Sequence, residues 1–219
     1  MDLGCKFEES TESQQAGSPG LPDLRVGLKA GRRLTRQRVS VTIGSTSMKI
    51  GILADIHDNV DNVRHAINML NGMQVEVVLI AGDFVSPLVV PSLRKLHGKV
   101  IACLGDNDGN QIGIAGGMKI VGTLAHGPVC YRTDDGLHIL MSHQLTEIRD
   151  CIDGADVIVF AHSHRPSIAT DRHGRLFINP GEVSGWMFRK PSVALLDTTT
   201  KGAKILELPG MNEPVCIDG

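Results

Sequence analysis

Apolar and polar positions fall in blocks along this chain. Residues 50–54 form a short uncharged apolar run that breaks off in Asp55, His57, Asp58 and Asn59. A run so short, bounded by polar residues, predicts a buried strand. Val63, Ile67 and Leu70 then recur at i, i+4 and i+7, with Ala66 and Met69 beside them, a helical stripe stopped at Asn71-Gly72. A second apolar run over 75–80 closes in Ala81-Gly82-Asp83, and a second helical stretch is expected over roughly 87–96. A third run, 100–104, ends in Gly105-Asp106-Asn107-Asp108. The order β-α-β-α-β predicts a largely parallel sheet with helices on its faces, in which ligands bind at the carboxyl ends of the strands. All three runs end there in acids.

Farther on, six glycines between 109 and 127 predict a mobile loop beside those strand ends. Residues 129–132 and 137–141 flank Asp135-Gly136, the mark of a hairpin. Its second strand runs into Ser142-His143-Gln144, a polar helix is expected over 145–151, and the strand at 157–160 delivers His162-Ser163-His164. Short strands are expected over 168–170, 176–179, 193–197 and 204–208. The expected fold class is α/β: a four-layer α-β-β-α sandwich of two mixed sheets, the first half supplying three strands to one sheet and the hairpin-rich second half the other. Residues 1–47 carry no sustained apolar periodicity and are expected to be a disordered extension, leaving 48–219 as the folded domain.

Composition narrows the classes of function. The chain has 219 residues, 42% hydrophobic, enough for one domain with a substantial core. No apolar run approaches the ~20 residues needed to cross a bilayer. A net charge of −2 and 3% aromatic residues argue against nucleic acid as a partner. Five scattered cysteines without a Cys-x-x-Cys suit reduced thiols and a cytoplasmic location rather than a disulfide framework.

The polar residues parked at strand ends are Asp55, His57, Asp83, Asp106, Asn107, Asp108, His143, His162 and His164. Carboxylate and imidazole are the ligands that suit manganese, iron and zinc. At an extended strand end residues i and i+2 point to the same side. Asp55 with His57, and His162 with His164, can then each offer donors to one point. Two cations ~3.5–4 Å apart clamp the attacking and leaving oxygens of an in-line phosphoryl displacement.

The blocks Asp55-Ile56-His57-Asp58-Asn59, Gly82-Asp83, Gly105-Asp106-Asn107-Asp108, His143 and His162-Ser163-His164 come in order from residue 48 onward. With Asn179-Pro180-Gly181 and the Val183-Ser184 that follows, they resemble the calcineurin-like metallophosphoesterase superfamily, specifically its small bacterial and archaeal phosphodiesterase branch. The resemblance implies a metal-dependent phosphodiesterase. Asp55, His57 and His164 would hold a first metal, Asp83 would bridge, and Asp106, His143 and His162 would hold a second. A bridging hydroxide would attack phosphorus. Manganese is the first expectation for the two divalent ions, with iron, zinc and nickel as alternatives. The expected substrate is a small phosphoester, with homo-oligomer formation left open.

Two departures from the family motif Gly-Asn-His-Asp/Glu matter. Asp106 stands where the family has Asn, which lowers the charge of the metal pair by about one unit and should weaken phosphate attraction. Asn107 stands where the family has a candidate proton donor, and Asn cannot be a general acid. Asn107 and Asp108 are the candidate catalytic residues. His65, His97, His126, His138 and His173 are given no function, Arg165 is balanced between substrate phosphate and surface, and Trp186, Met187 and Phe188 are expected in the core or at a subunit contact. A non-catalytic scaffold on the same fold, as in the retromer-type branch, is the competing reading.

Overall fold

The computed structural model describes residues 48–209, so the expected disordered extension over 1–47 and residues 210–219 of the expected domain lie outside the described residues. In chain order the first half gives β1 (Lys49–Leu53), α1 (Val60–Gly72), β2 (Val77–Ala81), a 3-10 turn (Pro87–Val89) running into α2 (Val90–Leu93), β3 (Lys99–Cys103), α3 (Gln111–Val121) and β4 (Gly122–Ala125). There follow β5 (Val129–Arg132), β6 (His138–Met141), a 3-10 segment (Leu145–Cys151), β7 (Val157–Val159), β8 (Ser167–Thr170), β9 (Leu176–Asn179), β10 (Ser192–Asp197) and β11 (Gly202–Glu207). No helix among these residues is long and apolar enough to cross a membrane.

The strands form two mixed sheets, one of six strands in the order β11-β10-β1-β2-β3-β4 and one of five in the order β5-β6-β7-β9-β8. β1, β2, β3 and β4 run parallel, and so do β6, β7 and β9. The expected α/β class of two mixed sheets is what the chain adopts. Its allocation of strands differs, because β4 and, from the second half, β10 and β11 join β1, β2 and β3 in the first sheet. β10 pairs antiparallel with β1 over Lys49↔Asp197 to Ile52↔Ala194, covering an edge that β1 would otherwise expose.

The uncharged runs read as strands because both of their faces are buried. Ile50 and Ile52 of β1, Val77 and Leu79 of β2 and Ile101 of β3 point between the sheets, against Ile139, Met141, Val157, Val159 and Ile178. The alternate residues Leu53, Val78, Ile80, Val100 and Ala102 point outward against Val63, Ile67, Leu70, Leu93, Ile114 and Met118 of the helices. On the far side, Leu140 and Ile158 are covered by Ile148 of the 3-10 segment, so that outer layer is thin.

The glycine-rich stretch expected to be a mobile loop is instead α3 and β4. Asn110 caps the helix, its side-chain oxygen accepting from the Gly113 N–H. Ile114 and Met118, one turn apart, are buried beneath it. Gly117 faces a close neighbour: a Cβ there would come 2.8 Å from Val90 Cγ1. Helix propensity here yields to tertiary packing.

Because Ile114 is fully buried while Ile112 is 89% exposed, the two isoleucines should respond oppositely to truncation. Ile114→Ala is expected to cost about 2–5 kcal/mol and Ile112→Ala less than about 0.5 kcal/mol, as measured by denaturant midpoints. Equal effects would contradict the helix.

Candidate metal centre

The parallel strands of both sheets deliver their carboxyl ends to one edge. β1 leads into Asp55 and His57, β2 into Asp83, β3 into Asp106, β6 into His143, and β7 into His162 and His164. Extended i, i+2 geometry is not what brings these side chains together. Asp55, His57, Asp83, His162 and His164 all have positive φ, between 43° and 68°. Each strand stops two to five residues earlier, and left-handed backbone turns the donors inward. Non-glycine residues held so cost about 1–3 kcal/mol each and persist where surroundings enforce them.

The surroundings are visible. Ile56 and His57 N–H both donate to the Asp83 carbonyl, at 2.9 and 3.0 Å. The N–H groups of Val183 and Ser184 donate to the carbonyls of Ala54 and Asp55, tying the loop after β9 to the loop after β1. Asn59, besides capping α1, donates to the Ser184 carbonyl at 2.7 Å. Asn179 donates to the Ala161 carbonyl and to Ser163 Oγ, pinning the turn that carries the two histidines. Gly82, at φ +85°, is required as glycine, since a Cβ there would meet His143 Nδ1 at 2.7 Å and the Gly105 nitrogen at 2.8 Å.

Two donor clusters result. One comprises Asp55, His57, Asp83 and His164, the other Asp106, His143 and His162, and within each the donor atoms lie within 4.8 Å of one another. The two histidines of the 162–164 turn are thus divided: His164 faces Asp55 at 3.8 Å while His162 faces Asp106 at 3.0 Å. Asp83 Oδ2 stands 3.4 Å from His57 Nε2 and 3.3 Å from His143 Nε2, between the clusters. The rings of His57 and His164 stack at 4.9 Å, and those of His143 and His162 meet edge-on at 5.3 Å. All seven residues expected to bind metal therefore stand together.

Their electrostatics are those of a site built for cations. Both oxygens of Asp55, His57 Nε2 and His143 Nε2 are buried without a hydrogen bond among the described residues, although His143 Nε2 comes within 2.9 Å of Asp106 Oδ1. Burial raises the Asp55 carboxyl to about 6, against the pull of His164 and His143. Burial also depresses His57. Asp83 goes the other way: burial is outweighed by the His143 imidazole and by two N–H groups of Asn107, which hold its carboxyl far below the usual range. Burial opposes the charged form of His143, but Asp83, the Ala81 carbonyl and Asp55 raise it to about 9. Its Nδ1 is 2.7 Å from the Ala81 carbonyl, and a carbonyl only accepts, so Nδ1 carries a proton and Nε2 faces the carboxylates. Carboxylate oxygens left without donors beside imidazole nitrogens fit divalent metal ions.

Asn107 and Asp108 occupy different positions from the seven. Asn107 donates its backbone N–H to Asp83 Oδ1 at 2.9 Å and its amide N–H to Asp83 Oδ2 at 2.8 Å. Asp108 is buried and faces away from the clusters: its oxygens accept the N–H groups of Val85 and Gly105, each at 2.7 Å. Its place is a brace between the loops after β2 and β3.

Sequence reasoning passed over Glu182. Fully buried, it accepts from His164 Nδ1 at 2.9 Å, from Ser184 Oγ, and from the N–H groups of Met187 and Phe188. Burial would raise its carboxyl, but these donors hold it below its ordinary value. The signal was available: Glu182 is the acid between Gly181 and Val183, inside the very block singled out. Gln144 was also missed; its side chain bonds to Asp106 and helps lower that carboxyl against burial. Trp186, Met187 and Phe188 are 53%, 66% and 38% exposed, so they are not core.

A model of the calcineurin-like phosphoesterase superfamily domain matches residues 48–201. The chain belongs to the calcineurin-like phosphoesterase superfamily. By that membership it is a phosphoric ester hydrolase. Phosphodiesterase MJ0936 from Methanocaldococcus jannaschii is 32% identical over 159 residues, spanning 70% of this chain and 95% of that one. The solved structure of an archaeal phosphodiesterase superposes with a TM-score of 0.68 at 31% identity, covering 74% of this chain and all, 100%, of the other. Yfce, a phosphoesterase from E. coli, shares the fold with a TM-score of 0.57 at 18% identity, covering 74% and 100% of the two chains.

Glu182→Ala would leave the His164 imidazole and two backbone N–H groups without their acceptor. It is expected to destabilise the protein by about 2–4 kcal/mol, and Glu182→Gln by less because one oxygen remains to accept. Urea unfolding of both variants provides the comparison; equal losses would argue against the acceptor role.

Proposed function

We propose that the chain is a phosphodiesterase acting through two divalent cations. On this reading Asp55, His57 and His164 hold one ion, Asp106, His143 and His162 hold the other, and Asp83 is shared. The observation that carries the proposal is the position of Asp83 Oδ2, about equally far from a donor nitrogen of each cluster, at 3.4 and 3.3 Å. Cations held by these residues would supply Lewis-acid polarisation of the phosphoryl group and would acidify water as a nucleophile near neutral pH. Manganese is proposed first, with iron, zinc and nickel as alternatives. The scaffold reading presumes eroded ligand positions; seven donors standing together favour the hydrolase.

The residues of this chain do the positioning. Asn107 fixes both oxygens of Asp83 and so aims the shared carboxylate. Glu182 keeps the Nδ1 proton of His164 occupied, which turns Nε2 toward Asp55. Asp108 holds the loops bearing Asp83 and Asp106 at a set spacing. None of these supplies a proton to a departing alkoxide, and the Asn107 amide has no acidic proton to give. Five scattered cysteines suit a reducing compartment, and we propose the cytoplasm. The catalytic unit on this reading is residues 48–219, with 1–47 an extension to it.

Hydrolysis of bis(p-nitrophenyl) phosphate should require added divalent metal, manganese foremost, and Asp83→Asn should lower kcat/KM at least about 100-fold. A folded wild-type protein that binds two ions and hydrolyses no diester would count against the proposal. With no acid at position 107, aryl diesters should turn over far faster than simple alkyl phosphomonoesters; comparable rates would contradict the assigned role of Asn107.

Metal uptake should depend on pH in a determined direction. His143, raised to about 9, is protonated in the metal-free protein at neutral pH, whereas a ligand must be neutral. Affinity should therefore rise about tenfold per pH unit up to about pH 9, and more steeply below about pH 6, where Asp55 must also lose a proton. Calorimetric titration in buffers of differing ionisation enthalpy counts the released protons; pH-independent uptake would refute the assignment of His143.

A further inference from the structure

Trp186, Met187 and Phe188 stand exposed on one loop, yet that loop is tightly held. Trp186 Nε1–H donates to the His57 carbonyl at 3.1 Å. The Glu182 carboxylate that accepts from His164 Nδ1 also accepts the N–H groups of Met187 and Phe188, at 3.0 and 2.7 Å. Arg165, the residue after His164, lays its guanidinium over the Phe188 ring, with Cζ 4.3 Å from the centroid. The loop is thus moored to both histidines of the first cluster. Aromatic side chains that folding ordinarily buries are fixed in the open at its rim. Large apolar groups kept exposed beside reactive donors mark a binding surface. The indole has spent its one N–H on His57, so its ring is what remains to meet a ligand. The guanidinium brings a permanent positive charge to the same rim, complementary to an anionic diester.

We propose that Trp186 and the Arg165–Phe188 pair form the subsite for the ester group that remains on phosphorus, and that this group is planar and aromatic. The inference rests on the phosphodiesterase reading for its chemistry. It adds that substrate selection lies in the 186–188 loop, through stacking that an alkyl ester cannot match.

The test compares the metal-loaded full chain with Trp186→Ala and Trp186→Phe on phenyl p-nitrophenyl phosphate and methyl p-nitrophenyl phosphate, which share a leaving group. Wild type should prefer the phenyl ester, chiefly through KM. The preference, as a ratio of kcat/KM values, should fall about tenfold in Trp186→Ala and be largely retained in Trp186→Phe. An unchanged ratio in Trp186→Ala, with wild type active on both esters, overturns the subsite and leaves the phosphodiesterase reading intact. A second readout needs no turnover. Trp186 is the one tryptophan of the chain, so its emission reports on this loop alone. Titration with diphenyl phosphate should give a saturable change that dimethyl phosphate does not. That change in a protein hydrolysing neither ester would support the subsite while removing the activity; no change with either ligand would overturn the subsite.

Discussion

Asp55 sets the terms for everything around it. A fully buried carboxylate with neither oxygen hydrogen-bonded is among the costliest groups a protein can bury. Folding tolerates it because three imidazoles, those of His57, His143 and His164, and a second carboxylate, Asp83, are gathered around it. The cost appears as opposed titrations: Asp55 is raised, Asp83 is depressed, and His143 is raised by the acids it faces. Such opposed shifts among neighbours in one cleft are the mark of groups awaiting a common charge. Cations bound at such a cluster would link metal affinity to folding through the same side chains.

The second constraint is backbone conformation. A strand alternates its side chains between two faces and cannot bring successive donors to one point beyond its end. The chain meets this with left-handed residues at Asp55, His57, Asp83, His162 and His164. Strain of this kind needs a frame. Here the frame is made of carbonyls and amides: Asn59 and Asn62 grip the 183–184 segment, and Asn179 grips the 161–163 turn. These side chains act on the chemistry only by holding other residues still, and for that reason they are buried.

A ring of acids and amides around the donors divides the work further. Asn107, Asp108 and Glu182 each make two or more hydrogen bonds, at least one of them to a different loop. Glu182 has the widest reach, linking the His164 imidazole to the exposed 186–188 loop, so that the arrangement of one ligand and the shape of the rim depend on the same carboxylate.

Much of the fold was legible in the sequence. Apolar runs at 50–54, 75–80 and 100–104 read as buried strands, and the Val63, Ile67, Leu70 stripe reads as a helix facing them. The donor set was legible too, because acids and histidines directly after apolar runs have no packing reason to be there. Other features were decided by contacts distant in sequence. The glycine-rich 111–121 segment is helical because Ile114 and Met118 find Val90 and Leu93 beneath them, and no local window contains that partner. β10 pairs with β1 across some 140 residues of chain. Asp108 faces inward because two backbone N–H groups wait for it, and Glu182 matters because His164 lies above it. Which residue types were available to bind a cation was written in the chain itself. Which of them face one another was left to tertiary packing, since a hydrogen bond or a ligand shell is a relation between loops and not a property of either one.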